Sequence, residues 1–504
     1  MIFKTTLLCL TCDLFLNVIQ MRVFPLLDAQ SKECCMKFSE AFNMEFQQSN
    51  LDFIDIPLDT DLQFFIDPTS IRALKTDWGD SLEKLIQDYF ADVMASIKNG
   101  DLKRAGVLLS SLKESNSFHL GYSSKKSSGK ALGVKTAELI LESLKNSKAA
   151  QTGLLHDLED TALTIDGIAS DRISDSVCNI LKLPFIEYTQ KICEFYNVDM
   201  SDVSGIRLWD PNSGRWGKRT FKLPVYNGEE IILIPKVLAR EKIAYSHSKF
   251  YRKYIIPEIR AEHLKAGSAL VTLLRGKQTV TATKIIEEFG QSKEFIEEQI
   301  VKYPDAIKQY KEELLLSPPP PLPHKSFDDS TGAVTGPLSS DVENLKLAIK
   351  ENDEQLYIES LKKIFLTIFY PSLFYPCLIK RNMHGYSFTM LNESRAGFFF
   401  DFSVFEIPAD KILVNIVMSS SHISEGYLEN LVQEMDVIKT SVCLLSCCEA
   451  TNELQKDKIK ALAKSKGKYV FIINSAVING ILDEYYKIGE QHFSMLRDKF
   501  KEFN

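Results

Sequence analysis

Carboxylates crowd two stretches of this chain. Asp52, Asp55, Asp59, Asp61 and Asp67 flank one set of apolar residues, and His156, Asp157, Glu159, Asp160, Asp166, Asp171 and Asp175 crowd a second. Gathered around one point, such groups could hold a divalent cation for phosphate chemistry, because hard cations select clustered anionic oxygens at about 2–2.6 Å. Density along a chain does not establish that convergence. The same residues serve equally as helix caps and solvated turns, and Arg172 stands ready to pair Asp171 and Asp175, which share a helix face at i, i+4. A basic and aromatic stretch follows: Arg207, Trp209, Arg215, Trp216, Lys218, Arg219 and Lys222. It continues through Lys236, Arg240, Lys242, Lys249, Arg252 and Lys253, with Tyr245, Phe250, Tyr251 and Tyr254 interleaved. Cations neutralise phosphates and rings stack on unpaired bases, so Arg207, Trp209, Arg215, Trp216, Lys218 and Arg219 are the candidate nucleic-acid contacts. The alternative is a basic surface loop followed by a helix whose tyrosines face the core.

Other chemistries lack their residues. Gly129-Lys130 is followed by Ala131, where a phosphate loop needs the hydroxyl that binds Mg²⁺, and the spacing from Gly121 is too long. Leu132-Gly133 carries one glycine and is a weak match to a DNA-backbone-binding hairpin. Residues 279–296 could form a helix-turn-helix, but Glu287, Glu288, Glu294, Glu297 and Glu298 would repel a DNA backbone. No G-x-S-x-G and no H-E-x-x-H occurs, so hydrolase triads and zincins have no support. Ten cysteines without a second CxxC or a zinc-finger histidine fit free thiols in a reducing cytoplasm.

The elements that must position these groups fall into two regions. The chain has 504 residues and 45% hydrophobic residues, with 60 Lys and Arg against 67 Asp and Glu. Disorder and fibrous classes are thereby excluded, as is a uniformly basic nucleic-acid coat. Residues 1–43 read as an N-terminal extension: Asp13 interrupts an apolar run too short to span a membrane. Residues 44–316 read as a mostly helical α+β region. Strands are expected at 53–56, 63–68 and 229–235, the last after a Tyr226-Asn227-Gly228 turn, and helices at 79–98, 132–147, 173–197 and, as a pair, 281–312. Pro318–Pro321 and Pro323 open a segment over 317–340, expected to be a stiff spacer and then flexible chain. Residues 341–504 form the C-terminal domain. A helix at 355–365 precedes strands at 386–389, 397–402 and 412–417. A helix at 424–438, a strand at 441–445, a helix at 455–466 and a strand at 468–473 follow. That order is an α/β sandwich with a mixed sheet.

With those residues, the order resembles the restriction-endonuclease-like, or PD-(D/E)XK, nuclease superfamily over about residues 350–490. The resemblance implies an acid on the first helix, an Asp at the end of the second strand and an (Asp/Glu)-x-Lys on the third. These hold Mg²⁺ and position the attacking water. Glu359 matches the helix acid and Asp401 the strand acid, both as metal ligands. Asn415 takes the third-strand carboxylate position, and Gln433 matches a polar position on the next helix. The third strand departs from the pattern: Asn415 is uncharged and Val417 stands where the lysine belongs. The expectation is a Mg²⁺-dependent endonuclease if the site is intact, and a degenerate nuclease-like module otherwise. The N-terminal region is also similar to uncharacterised bacterial proteins carrying such a module, which by analogy points to nucleic acid, DNA above all, and to antiviral defence. A partner protein from the same operon is allowed and a membrane is not expected. The alternative is a non-catalytic scaffold or regulatory subunit binding a partner protein.

Overall fold

A computed structural model of the chain describes residues 36–112, 115–121, 134–155, 157–332, 337–382, 385–393, 397–449, 451–488, 493–501 and 503. Most of the expected N-terminal extension, the tract 129–133 and His156 lie outside the described residues.

Helices dominate the N-terminal region. Helix α1 (Pro68–Ala73) starts at Asp67, whose side chain accepts from the Thr69 amide, and Pro68 fills the first position, where a missing N–H is harmless. Helix α2 (Asp77–Lys98) is capped by Thr76 and buries Leu82, Ile86, Tyr89, Phe90 and Val93 at helical spacing. Gly79 in its first turn is a close approach: a Cβ there would lie 2.6 Å from the Leu74 Cβ and 2.9 Å from the Leu74 carbonyl oxygen. Gly79→Ala is expected to cost about 1–3 kcal/mol through that clash, read by urea unfolding beside the wild type.

The helix expected over 173–197 is two, Ser170–Ile180 and α3 (Lys182–Tyr196). Strands β1 (Ser201–Asp210) and β2 (Arg215–Leu223) form a hairpin. The turn at Asn227-Gly228 is present, with both residues at positive φ joining Val225–Tyr226 to Glu229–Glu230. The strand expected to run on to 235 does not form. The amides of Ile231, Ile232 and Leu233 bond instead to Pro224 O, Ser117 O and Thr189 Oγ1 on three separate segments. Similarly, 53–56 makes one isolated bridge, and only Phe65–Ile66 of 63–68 is paired, with Ala239–Arg240. Ala282–Phe289 and Lys293–Lys302 flank Gly290 as expected, and α4 (Pro304–Leu316) follows.

The segment expected to be a spacer is docked. Prolines cannot donate, but their carbonyls still accept. Pro319 O takes a bond from Arg240 Nη2 at 3.1 Å and Leu322 O one from the Tyr370 hydroxyl at 2.8 Å. Helix α5 (His324–Thr331) then places His324 Nε2 3.0 Å from Thr367 O and the Phe327 ring 5.2 Å from that of Phe64. A continuous apolar core accordingly extends from Phe38 to Phe500, through both regions.

The C-terminal part of this mixed α/β chain is built on a five-stranded mixed sheet. Helix α6 (Glu354–Phe369) leads into an antiparallel meander of β3 (Leu373–Asn382), β4 (Gly385–Asn392) and β5 (Lys411–Ile416). Helix α7 (Phe398–Val404) lies between β4 and β5. Crossovers through α8 (Glu425–Val437) and α9 (Glu453–Lys466) add β6 (Val442–Ser446) and β7 (Tyr469–Ile473) in parallel, giving the order β7-β6-β5-β4-β3. Helices α10 (Ser475–Ile488) and α11 (Ser494–Lys501) complete the chain. Side chains alternate across β5. Ile412, Val414 and Ile416 pack with residues of α6, α7, α10 and α11, whereas Leu413 and Val417 pack with Leu428, Leu431 and Met435 of α8 and Ile459 of α9.

This meander differs from the expected one in two places. Strand β3 was not anticipated, and residues 397–402 are the start of helix α7 rather than a strand. Phe398, Phe399 and Phe402 are buried there while Phe400 and Val404 are exposed, a helical periodicity. Asp401 is therefore not a strand residue.

A buried charged junction joins the two regions. Lys236 is wholly buried; its Nζ donates to Gln48 O at 3.1 Å and lies 4.6 Å from the centre of the Tyr370 ring. Asp52 accepts from the Tyr188 hydroxyl at 2.7 Å and from the Tyr375 amide at 3.0 Å. Tyr375 holds φ 56°, a left-handed conformation unusual for an aromatic residue, and its amide in that conformation meets Asp52. Burial pushes the Asp52 carboxyl up to about 6 and the Lys236 amine down to about 7, each shift opposed by the other's charge.

Candidate functional site

A cleft of about 620 Å³ opens at the end of the sheet where β4 begins and β5 ends, beneath α8. Its floor is set by register: Lys380 on β3 pairs with Ser387 on β4, and Ser387 with Asn415 on β5. Asn415 is a buried amide in an otherwise apolar strand, so it needs partners. Its Nδ2 donates to Ser387 Oγ at 2.8 Å, and its Oδ1 accepts from the Tyr427 hydroxyl at 2.5 Å. The roof is α8, started by Ser424, whose side chain accepts from the Tyr427 amide. Spacing of i, i+3, i+4 and i+7 puts Tyr427, Asn430, Leu431 and Glu434 over the cleft. Burial raises the Glu434 carboxyl above its ordinary value, and Lys380 opposes that shift. His422 and Val417 complete the wall.

This arrangement can orient and hydrogen-bond a polar ligand, but it brings a single carboxylate. Among the described residues no three His, Cys, Asp or Glu side chains are grouped to hold a metal ion.

Of the residues matched to the nuclease pattern, Asn415 lies in this cleft and the others do not. Gln433 is solvent-exposed, one residue and roughly 100° around α8 from the cleft-facing Glu434. Asp401 is clamped by Arg497 of α11, with Nε 2.8 Å from Oδ2 and Nη2 3.2 Å from Oδ1, on the face of the sheet opposite α8. Glu359 pairs with the buried Lys362 at 2.9 Å. Phe369, at the far end of the same helix, packs 5.5 Å from Phe399 beside Asp401. Ten residues of helix, about 15 Å, thus separate Glu359 from that end, so Glu359 and Asp401 do not ligate one Mg²⁺. Asp401→Ala is expected to lower thermal stability by about 0.5–1 kcal/mol, the worth of a half-exposed ion pair. Ligand binding in the cleft, followed by titration, is expected to be unchanged.

Ser387, Lys380, Tyr427 and Glu434 were not singled out from sequence. Finding them requires β3, since Lys380 joins the site only through its pairing with Ser387.

The basic stretch divides in the same way. Trp209 is buried against Tyr89, ring centres 4.9 Å apart, and Trp216 lies 6.1 Å from Tyr89 with the Arg207 guanidinium over its ring at 5.5 Å. Arg207 also donates to Ser111 Oγ at 2.9 Å. The two tryptophans therefore pack the hairpin onto α2 instead of presenting faces to bases. Arg215, Lys218, Arg219 and Lys222 remain exposed along β2. Farther on, Lys236, Arg240, Tyr245, Phe250, Tyr251 and Tyr254 are core residues.

The second acidic stretch is an ion-pair network. Arg72 Nη2 reaches Glu159 at 2.9 Å and Asp157 at 3.4 Å, and Lys311 Nζ reaches Asp160 at 2.6 Å and Asp157 at 2.9 Å. Burial first, and then the neighbouring Asp157 and Asp160, outweigh Arg72 and push the Glu159 carboxyl up to about 7. Two cations occupy the space a metal would need. Asp171 and Asp175 sit on the separate helix Ser170–Ile180.

No helix among the described residues is long and apolar enough to cross a membrane. No curated protein and no solved structure matches the chain. Residues 43–246, less than half of its length, are similar to a family described as a domain of unknown function (DUF8370).

Proposed function

We propose that this is a nucleic-acid-directed protein whose C-terminal unit has a restriction-endonuclease-like frame and does not cleave. The observation that carries the reading is the Ser387–Asn415 pair. The order of helix α6, the meander β3-β4-β5, crossover α8 and parallel β6 supports the reading, since it is the order that the resemblance implies. Within that order Ser387 stands near one end of the second strand and Asn415 on the third, side by side. Two carboxylates there would bind Mg²⁺; a hydroxyl and an amide bonded to each other, the amide also accepting from Tyr427, bring no charge to it. Val417 supplies no ammonium group, and Lys380 and Glu434 leave the cleft with one charge of each sign. The exposed cations of β2 are the surface best suited to phosphates.

Two measurements test this. Plasmid and single-stranded DNA, incubated with the protein and Mg²⁺ or Mn²⁺, are expected to stay intact; metal-dependent cutting would overturn the loss of chemistry. Retardation of the same DNAs is expected to weaken steeply with salt. Lys218→Glu combined with Arg219→Glu should reduce the log–log salt slope by about 2. Binding that ignores both salt and the double substitution would favour the scaffold reading.

A further inference from the structure

A two-stranded ribbon, Thr272–Leu274 paired with Lys277–Thr279, stands out from the helices that flank it in the chain. Its base is fixed: Val280 is fully buried, and its carbonyl accepts from Arg260 Nε at 2.7 Å. Beyond that base every residue from Leu273 to Gln278 is exposed. Arg275 at φ 48° and Gly276 at φ 77° are the two central residues of the turn, the paired positive values that suit a tight hairpin. The apex is thus a cation, with Lys277 beside it. Immediately behind stand Leu273, 74% exposed, and Leu274, 56% exposed. Register pairs Leu273 with Gln278 and Leu274 with Lys277, so the two leucines lie on opposite faces of the ribbon.

A single exposed leucine is ordinary, but two in succession behind a cationic apex select an occupant. A lipid surface would take both leucines only by drawing Arg275 deepest, and hydrocarbon strongly disfavours an arginine. A protein groove that covers one face of the ribbon leaves the leucine on the other face in water. The minor groove of a duplex meets all of these groups. Its negative potential attracts an entering arginine, and a base step that opens there receives apolar side chains. Glu287 and Glu288, which would repel a backbone laid along the helix Ala282–Phe289, sit at the end of that helix farther from the ribbon. Resting on the nucleic-acid reading above, we infer that this ribbon is a wedge. Arg275 enters the minor groove, and Leu273 and Leu274 part a base step and kink the duplex by about 20–90°.

The test uses the full chain and a DNA duplex of about 30 base pairs with a donor dye at one end and an acceptor at the other. Energy transfer is expected to rise when the wild type binds, because a kink brings the ends together. Leu273→Ser with Leu274→Ser should still retard the duplex with an unchanged log–log salt slope, while the rise is lost. Arg275→Glu should lower that slope by about 1, the loss of one cation. The substituted side chains are exposed, so melting temperatures should match the wild type, and the wild-type signal tests the inference without any variant. Retardation with unchanged energy transfer, or a rise that survives the double substitution, would overturn the wedge and leave the nucleic-acid reading standing. No retardation at low salt would remove both. Vesicles of phosphatidylserine and phosphatidylcholine are expected not to sediment the protein. Sedimentation abolished by the leucine substitutions would assign the ribbon to a membrane and overturn the wedge.

Discussion

Replacing Lys236 with methionine is expected to abolish an alkaline gain in stability of about 3–5 kcal/mol, because the buried amine titrates at about 7 against an ordinary 10.5. Methionine keeps most of the volume, and Asp52 retains its bonds from Tyr188 and Tyr375 while its carboxyl, without Lys236, moves higher still. Lys236 holds its proton to about 7 in the folded chain, against 10.5 for an ordinary lysine. Between those values the unfolded chain binds more protons, so this group makes the wild type more stable as pH rises. Asp52 has the opposite slope. Its folded value of about 6 lies above the ordinary 3.8, so its contribution falls as pH rises through that interval and is flat above it. Urea unfolding at a series of pH values should show the alkaline gain in the wild type and not in Lys236→Met. Matching profiles would remove Lys236 from the account.

Arg72→Met is the second large effect, also about 3–5 kcal/mol. It strips Glu159, which is fully buried, of its cation at 2.9 Å, and leaves Asp157 and Asp160 to Lys311 alone. The deficit should shrink on acidification. Glu159 titrates at about 7 in the folded chain against an ordinary 4.5, and without Arg72 its value moves higher still. Below that value the group is neutral and needs no partner. A difference between wild type and variant that narrows from pH 8 to pH 5 is the expected observation. A difference that widens on acidification would mean that Arg72 acts through something other than Glu159.

Much of the scaffold was legible because its signals are periodic. Helices α2, α6, α8 and α9 and strands β5, β6 and β7 carry apolar spacings that survive without tertiary information, and Asn227-Gly228 supplies the two positive φ values of a tight hairpin. Strand β3 was hidden by Pro371 and Pro376, which read as breaks in a chain where neither neighbour is known. An edge strand tolerates proline, and β3 is an edge strand. Residues 397–402 failed for a different reason: a short unbroken apolar run fits a buried strand and a buried helical turn equally. That single misreading put Asp401 on a strand, whereas it lies on helix α7. Asn415 was singled out because it stands at the third-strand position where the resemblance expects a carboxylate, and the structure gives this lone amide its partners in Ser387 and Tyr427. Gln433 rather than Glu434 was chosen because the phase of α8 against the sheet follows from packing on Leu428, Leu431 and Met435, not from local pattern.

The docked proline strap has an evolutionary corollary. Its carbonyls are satisfied by Arg240 from one side and Tyr370 from the other, and Asp52 reaches across to Tyr375. A recombination event that transplanted residues 341–504 into another gene would leave Arg240 with Pro319 but carry away Tyr370 and Tyr375, and so bare Lys236 and Asp52 to solvent on the half left behind. The C-terminal unit is thus poorly suited to travel as a cassette, and inheritance of the two halves as one indivisible piece is what this architecture favours.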